Sequence, residues 1–142
     1  MSSTSNNYIA IIDDDEDLCR SMSRLLRAAH LRPITYSSAE EFLADTKRPK
    51  FGCLVLDIQL KGMSGLDLHQ RLSAVKDSTP VVFITAHDDP KVRMHAESCD
   101  CAGYFRKRAS GTDIITAIRR AIDLEDSGSA HKHRKPDPEL IP

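Results

Sequence analysis

Short apolar runs and amphipathic runs alternate along this chain. Tyr8 to Ile12 is an apolar run that stops abruptly at Asp13-Asp14-Asp15-Glu16-Asp17. A helical pattern follows, with Leu18, Met22, Leu25, Leu26 and Ala29 on one face and Arg20, Arg24 and Arg27 on the other. Arg32 to Tyr36 reads as a short strand. Ser37-Ser-Ala-Glu40 has the spacing of a capping box and predicts a helix through about Asp45. Phe51 to Leu56 is an apolar strand that runs into another carboxylate, Asp57. Ser64-Gly65-Leu66 opens a helix whose apolar face carries Leu68 and Leu72. Pro80 to Ile84 is a strand of the fully buried type, ending at Thr85. Asp89-Pro90 pairs an N-cap with a proline at the first helical position, and that helix runs to about Cys99. Gly103 to Phe105 is a short strand followed by Arg106-Lys107. Ser110 to about Leu124 predicts a last amphipathic helix that buries Ile114, Ile115, Ile118 and Ile122.

Five strands and five helices in strict alternation call for a parallel sheet covered on both faces. Right-handed crossovers leave few topologies. The expected fold is α/β, a flavodoxin-like (βα)5 doubly wound sheet of strand order 2-1-3-4-5. In that order the first and third strands flank the switch point, and ligands bind beyond the carboxyl ends of the strands there.

Composition narrows the function classes. The chain has 142 residues, a formal net charge of -1 and 40% hydrophobic residues, which suits one domain with tails. No long uncharged apolar run predicts a membrane-spanning helix. The polar start has no apolar signal core, so the expected location is the cytoplasm. A net charge near zero argues against nucleic-acid binding by the whole protein. The expected organisation is a disordered N-terminus over 1–7, a folded domain over 8–124 and a polar flexible tail over 125–142. That tail is too short for a helix-turn-helix output domain.

The chemistry gathers at one edge of the expected sheet. Asp13 and Asp14 follow the first strand, Asp57 the third, Thr85 the fourth and Lys107 the fifth. Polar loops explain any one of these residues, but not all of them at the same end. Clustered carboxylates suit an oxygen-loving cation such as Mg2+. A carboxylate nucleophile, a metal, a lysine and a hydroxyl together make a phosphoryl-acceptor site.

With those residues in place, the sequence resembles the receiver domain of bacterial two-component response regulators over about residues 8 to 124. The resemblance rests on Ile-Ile-Asp13-Asp14-Asp15, Leu-Val-Leu-Asp57, Gly-Met-Ser-Gly65, Phe-Ile-Thr85-Ala-His and Tyr104-Phe-Arg-Lys107. The piece from Val81 to Asp89 looks most like regulators with a LuxR-type output. The resemblance implies that Asp57 accepts a phosphoryl group from a sensor histidine kinase or a histidine phosphotransfer protein. It implies that Asp14, Asp57 and the main-chain carbonyl of Gln59 ligate Mg2+, with Asp13 acting through water. Lys107 and Thr85 would bind the phosphoryl oxygens. Thr85 and Tyr104 would switch the face made by helix four, strand five and helix five, for a downstream protein or a homodimer. No direct contact with DNA or membrane is expected, and Gln59 and His87 border the path of attacking water.

Three positions depart from the family pattern. Arg108 follows Lys107 where receivers usually carry proline, so a trans peptide is expected there. Leu60-Lys61-Gly62 replaces a proline-bearing loop, and Asp100 replaces a glycine after helix four. Two other functions compete. One is a degenerate receiver that binds partners without phosphorylation. The other is a phosphatase of the haloacid-dehalogenase type, with Asp13-x-Asp15 as nucleophile motif and Asp88-Asp89 as late acidic pair. That class places its lysine before the acidic pair, and Asp57 would have no role. A flavin-binding flavodoxin would need a phosphate loop where five acidic residues stand. His95, Cys99 and Cys101 lack a zinc-ligand spacing and read as an ordinary histidine and plain thiols. The arginine stripe reads as a solvated face that, by the resemblance, also helps dock a kinase. His131-Lys-His-Arg-Lys135 reads as solvated linker.

Overall fold

A computed structural model describes residues 7–86, 89–98 and 101–126, without the side chains of Glu125 and Asp126. Five parallel strands form one sheet in the order β2-β1-β3-β4-β5. They are β1 (Tyr8–Ile12), β2 (Arg32–Tyr36), β3 (Cys53–Asp57), β4 (Val81–Thr85) and β5 (Gly103–Arg106). The helices between and after them are α1 (Glu16–Ala28), α2 (Ala39–Ala44), α3 (Gly65–Ala74), α4 (Pro90–Ser98) and α5 (Gly111–Asp126). The doubly wound fold expected from the alternation is therefore present, with the expected strand order.

Side chains that alternate along the strands divide the core in two. Ala10, Ile12, Leu54, Leu56, Val81 and Phe83 pack under Phe42, Leu68, Leu72 and Ala96 of the helices α2, α3 and α4. Ile9, Ile11, Cys53, Val55, Val82 and Ile84 pack under Met22, Leu26, Ile114, Ile118 and Ile122 of α1 and α5. Because both faces are covered, β3 and β4 are apolar without alternation.

Local details shift three expectations. The cap of α2 is Ser38, whose hydroxyl accepts the Glu41 N–H at 3.0 Å. Glu41, rather than Glu40, reaches back, accepting the Ser37 N–H at 2.6 Å. The capping box thus stands one residue later than its sequence spacing suggested, and Glu40 is released from it. Leu25, expected on the buried face, is 44% exposed and lies beside Gly111 at the start of α5. Ile115 is only partly buried at the rim of the α5 face. Residues 1–6, His87, Asp88, Cys99, Asp100 and 127–142 lie outside the described residues, and so do the tail expectations and the roles suggested for those positions.

Candidate functional site

Strand register brings the acidic residues together. β1 pairs with β3 so that Ile12 faces Leu56. The next step along each strand is Asp13 and Asp57, which continue the Ile9–Ile11 and Cys53–Val55 series and point to the same side. The Asp13 N–H extends the β1–β2 pairing by donating to the Tyr36 carbonyl at 3.0 Å. Both carboxylates are buried, Asp13 to 1% and Asp57 to 2% exposure, while Asp14 faces solvent. Asp13, Asp14 and Asp57 each offer one carboxylate oxygen within 4.8 Å of the others.

Lys107 closes this acidic pocket from the far side. Its N–H donates to the Thr85 carbonyl at 2.8 Å, continuing the β4–β5 ladder past Arg106. Its ammonium then lies 3.0 Å from Asp13 Oδ2 and 3.2 Å from Asp57 Oδ2, and it donates to Asp13 Oδ1 at 3.1 Å. Among the described peptides none is cis, so the Lys107–Arg108 bond is trans, as expected without a proline. The lysine still reaches both aspartates.

Backbone donors hold each carboxylate in place. The Asp15 N–H donates to Asp13 Oδ1 at 2.9 Å, and the Gln59 N–H to Asp57 Oδ1 at 2.9 Å. Asp15 also caps α1, accepting the Leu18 N–H at 3.1 Å. Burial pushes the Asp13 carboxyl up to about 6, and the Asp57 charge adds to it, against the Asp15 N–H and Lys107. Burial alone would lower Lys107, but its contacts with Asp13 and Asp57 outweigh that and raise it. The pocket thus holds excess negative charge that one ammonium only partly offsets.

Thr85 is fully buried at the end of β4 and continues the series on the opposite side of the sheet from Asp57. Its hydroxyl donates to Gln59 Oε1 at 3.5 Å, so Gln59 and Thr85 meet at the rim of the pocket. Tyr104 lies on β5 beside α4. The Arg93 guanidinium stands 5.8 Å from its ring centre, and its hydroxyl oxygen is shielded from solvent.

All-oxygen donors at this spacing fit a hard divalent cation, and three carboxylates around one lysine suit Mg2+ better than a softer metal. Among the described residues this is the one such group of acidic, histidine or cysteine side chains. His95 Nε2 instead lies 3.2 Å from Gln70 Nε2, away from any zinc site.

Two further residues frame the site, and sequence reasoning missed the second. Gly65 begins α3 directly against the main chain of Asp57, and its N–H donates to the Ile58 carbonyl at 3.0 Å. Glu40, on α2, accepts the Met63 N–H at 2.9 Å in the loop after Asp57. The glycine was visible within its motif. The Glu40 contact, spanning 23 residues, left no local signal.

A carboxylate pocket with a lysine at the carboxyl edge of a 2-1-3-4-5 sheet defines the receiver class of signalling domains. Residues 9–119 match the family model for the response regulator receiver domain, and the chain belongs to that family. The response regulator protein TmoT of Ectopseudomonas mendocina is 35% identical over 118 residues, which span 83% of this chain and 54% of TmoT. The transcriptional regulatory protein FixJ of Rhizobium meliloti is 32% identical over 115 residues, 81% of this chain and 56% of FixJ. Among solved structures, the response regulator StyR matches with a TM-score of 0.77 at 32% identity, covering 86% of this chain and 62% of that one. FixJ-N matches with a TM-score of 0.75 at 30% identity, covering 83% of this chain and 94% of that one. The chain spans about half the length of the curated relatives it matches. Receivers of this family bind Mg2+ at an acidic aspartate cluster, the group formed here by Asp13, Asp14 and Asp57.

Proposed function

We propose that this chain is a phosphoacceptor in a two-component relay, with Asp57 taking the phosphoryl group. The observation that carries the reading is Lys107 lying within 3.2 Å of both Asp13 and Asp57 in a buried, anion-rich pocket. An Asp57 oxygen attacks the phosphorus of a phosphohistidine on a kinase or phosphotransfer protein. The P–O bond forms as the P–N bond breaks, and the electron pair stays on the imidazole nitrogen, which takes a proton. Asp14, Asp57 and the Gln59 carbonyl would hold Mg2+, with Asp13 acting through water. Bound there, the metal supplies positive charge to the phosphoryl oxygens.

Lys107 moves from the carboxylates to a phosphoryl oxygen, and the Thr85 hydroxyl leaves Gln59 for another. Displacement of Thr85 alters the packing beside Tyr104, and so the face of α4, β5 and α5. In this reading that face is the surface for a downstream protein or a second copy of the chain, and the exposed Met94 on α4 supports an apolar contact there. Output by protein contact in the cytoplasm, and self-catalysed loss of the phosphoryl group, complete the reading.

The test is intact mass after incubation with Mg2+ and acetyl phosphate. One added phosphoryl group, labile to base and lost in Asp57→Asn, is expected. A folded protein that gains no mass would make it a binding module without phosphorylation. Turnover that depends on Asp13 but not Asp57 would make it a phosphatase.

A further inference from the structure

The loop between β3 and α3 is fastened at three points. At its start, the Gln59 N–H donates to the Asp57 carboxylate. At its base, the Gly65 N–H donates to the Ile58 carbonyl at 3.0 Å, closing residues 58–65 into a ring. At its tip, the Met63 N–H donates 2.9 Å to Glu40 Oε2, a carboxylate from a different helix, α2. The first two fastenings belong to the loop and the strand that feeds it. The third ties the loop to an element outside the phosphoacceptor pocket.

The neighbours of Glu40 are arranged around this contact. Gly62 adopts φ +76°, and a β-carbon there would stand 2.7 Å from Glu40 Oε2. A side chain at position 62 would therefore meet both an unfavourable backbone region and the carboxylate. The Met63 N–H, followed by Glu40's own N–H and the charge of Arg71, holds the Glu40 carboxyl below its ordinary range. Ser38 and Glu41 serve the α2 capping box, and the Glu40 carboxylate, beyond its own N–H, reaches the loop.

We propose that Glu40 is a positioning residue for the metal and phosphoryl site: by holding the Met63 N–H, it sets the path of the loop that carries the Gln59 carbonyl. This rests on the phosphoacceptor reading above. Ile58 and Leu60 are buried in the core on either side of Gln59, whereas Lys61 and Gly62 are exposed, so the Glu40 contact fastens the outer half of the loop. Releasing its tip loosens residues 61–63 and, through Leu60, the setting of the Gln59 carbonyl, while leaving Asp13, Asp14, Asp57, Lys107 and Thr85 in place on the strand ends. Loss of Glu40 should then weaken cation binding more than it weakens the fold.

The experiment compares the full chain with Glu40→Ala and Glu40→Gln. Mg2+ affinity is read by calorimetric titration, Met63 amide exchange by NMR, and unfolding by urea. Glutamine keeps an acceptor oxygen for the Met63 N–H and alanine does not. The expected result is a three- to tenfold weaker Mg2+ affinity and faster Met63 exchange in Glu40→Ala, with both largely restored in Glu40→Gln. Equal Mg2+ affinity in all three proteins overturns the inference. So does equal weakening in both variants, which would mark a long-range charge effect rather than a held loop. If the unsubstituted chain binds no Mg2+ and gains no phosphoryl group, the phosphoacceptor reading itself fails, an outcome distinct from either of these.

Discussion

Gly65 lies against the main chain of Asp57 so closely that no other residue fits. A β-carbon there would overlap the Asp57 carbonyl oxygen and stand 2.9 Å from the carbonyl carbon. Backbone atoms in a central strand cannot swing aside as a flexible side chain can. Gly65→Ala must therefore push α3 away from β3 or displace Asp57, at a cost of about 1–3 kcal/mol. Gly111→Ala is the control. Its new methyl would meet the end of the Leu25 side chain, which is partly exposed and free to move. Urea unfolding should show a clear loss for the first variant and a change within about 0.5 kcal/mol for the second. Equal losses would mean that the contact with Asp57 is not the constraint.

Lys107 compensates two buried carboxylates at once. Lys107→Met keeps much of the side-chain volume and removes the charge, leaving Asp13 and Asp57 to repel each other away from water. In the presence of a chelator the variant should lose about 1–3 kcal/mol of stability, discounted because the ammonium is partly exposed. Mg2+ brings positive charge to the same carboxylates, so it should raise the melting temperature of Lys107→Met by more than that of the unsubstituted protein. The same Mg2+ increment in both proteins would show that the lysine and the metal do not share this role.

The doubly wound sheet was legible because each strand is a short apolar run and each helix keeps its own periodicity. The same alternation placed Asp13, Asp14, Asp57, Thr85 and Lys107 at one edge of the sheet. Leu25 illustrates where the reading stops. Its spacing on α1 is that of a core residue, but whether a helix face is covered depends on how α5 crosses it, and no local pattern encodes that. Glu40 and Glu41 show the same limit at finer grain. Both follow serines at capping distance, and only the backbone path into α2 decides which one turns back to the cap and which one reaches the loop at Met63. Gln59 belongs to a third kind. Its place two residues past Asp57 was readable, but its approach to the Thr85 hydroxyl depends on the β3–β4 register and a loop conformation set from elsewhere.

The frame of the α2 cap has a direct stability consequence. Ser38 accepts the Glu41 N–H, whereas Ser37 donates its hydroxyl to the Glu41 carboxylate at 3.1 Å on the exposed side. Ser38→Ala should cost about 1 kcal/mol in urea unfolding. Ser37→Ala should cost a few tenths, since a solvent-exposed hydrogen bond contributes little net stability. The reverse order would return the cap to Ser37 and Glu40, the frame that the spacing first suggested.

Cys19, beside the pocket, and Cys53, at the far end of β3 from it, should both behave as inert thiols. The Cys19 thiol donates to the Asp13 carbonyl at 3.4 Å, and burial, reinforced by the Asp13 charge, pushes it up to about 11. Burial pushes Cys53, at the start of β3, up to about 12. The thiolate is the reactive form, so at pH 8 Cys19 should carry on the order of 100-fold less of it than a thiol of ordinary pKa near 9.0. Iodoacetamide at pH 8, followed by peptide mass analysis, should leave Cys19 and Cys53 unmodified in the native protein over a period that labels both completely in urea. Asp13→Asn removes one of the charges that raise Cys19 and should speed its alkylation without reaching Cys53, which owes its protection to burial in the sheet. Native-state labelling of Cys19 as fast as in urea would show that neither burial nor the acidic pocket controls this thiol.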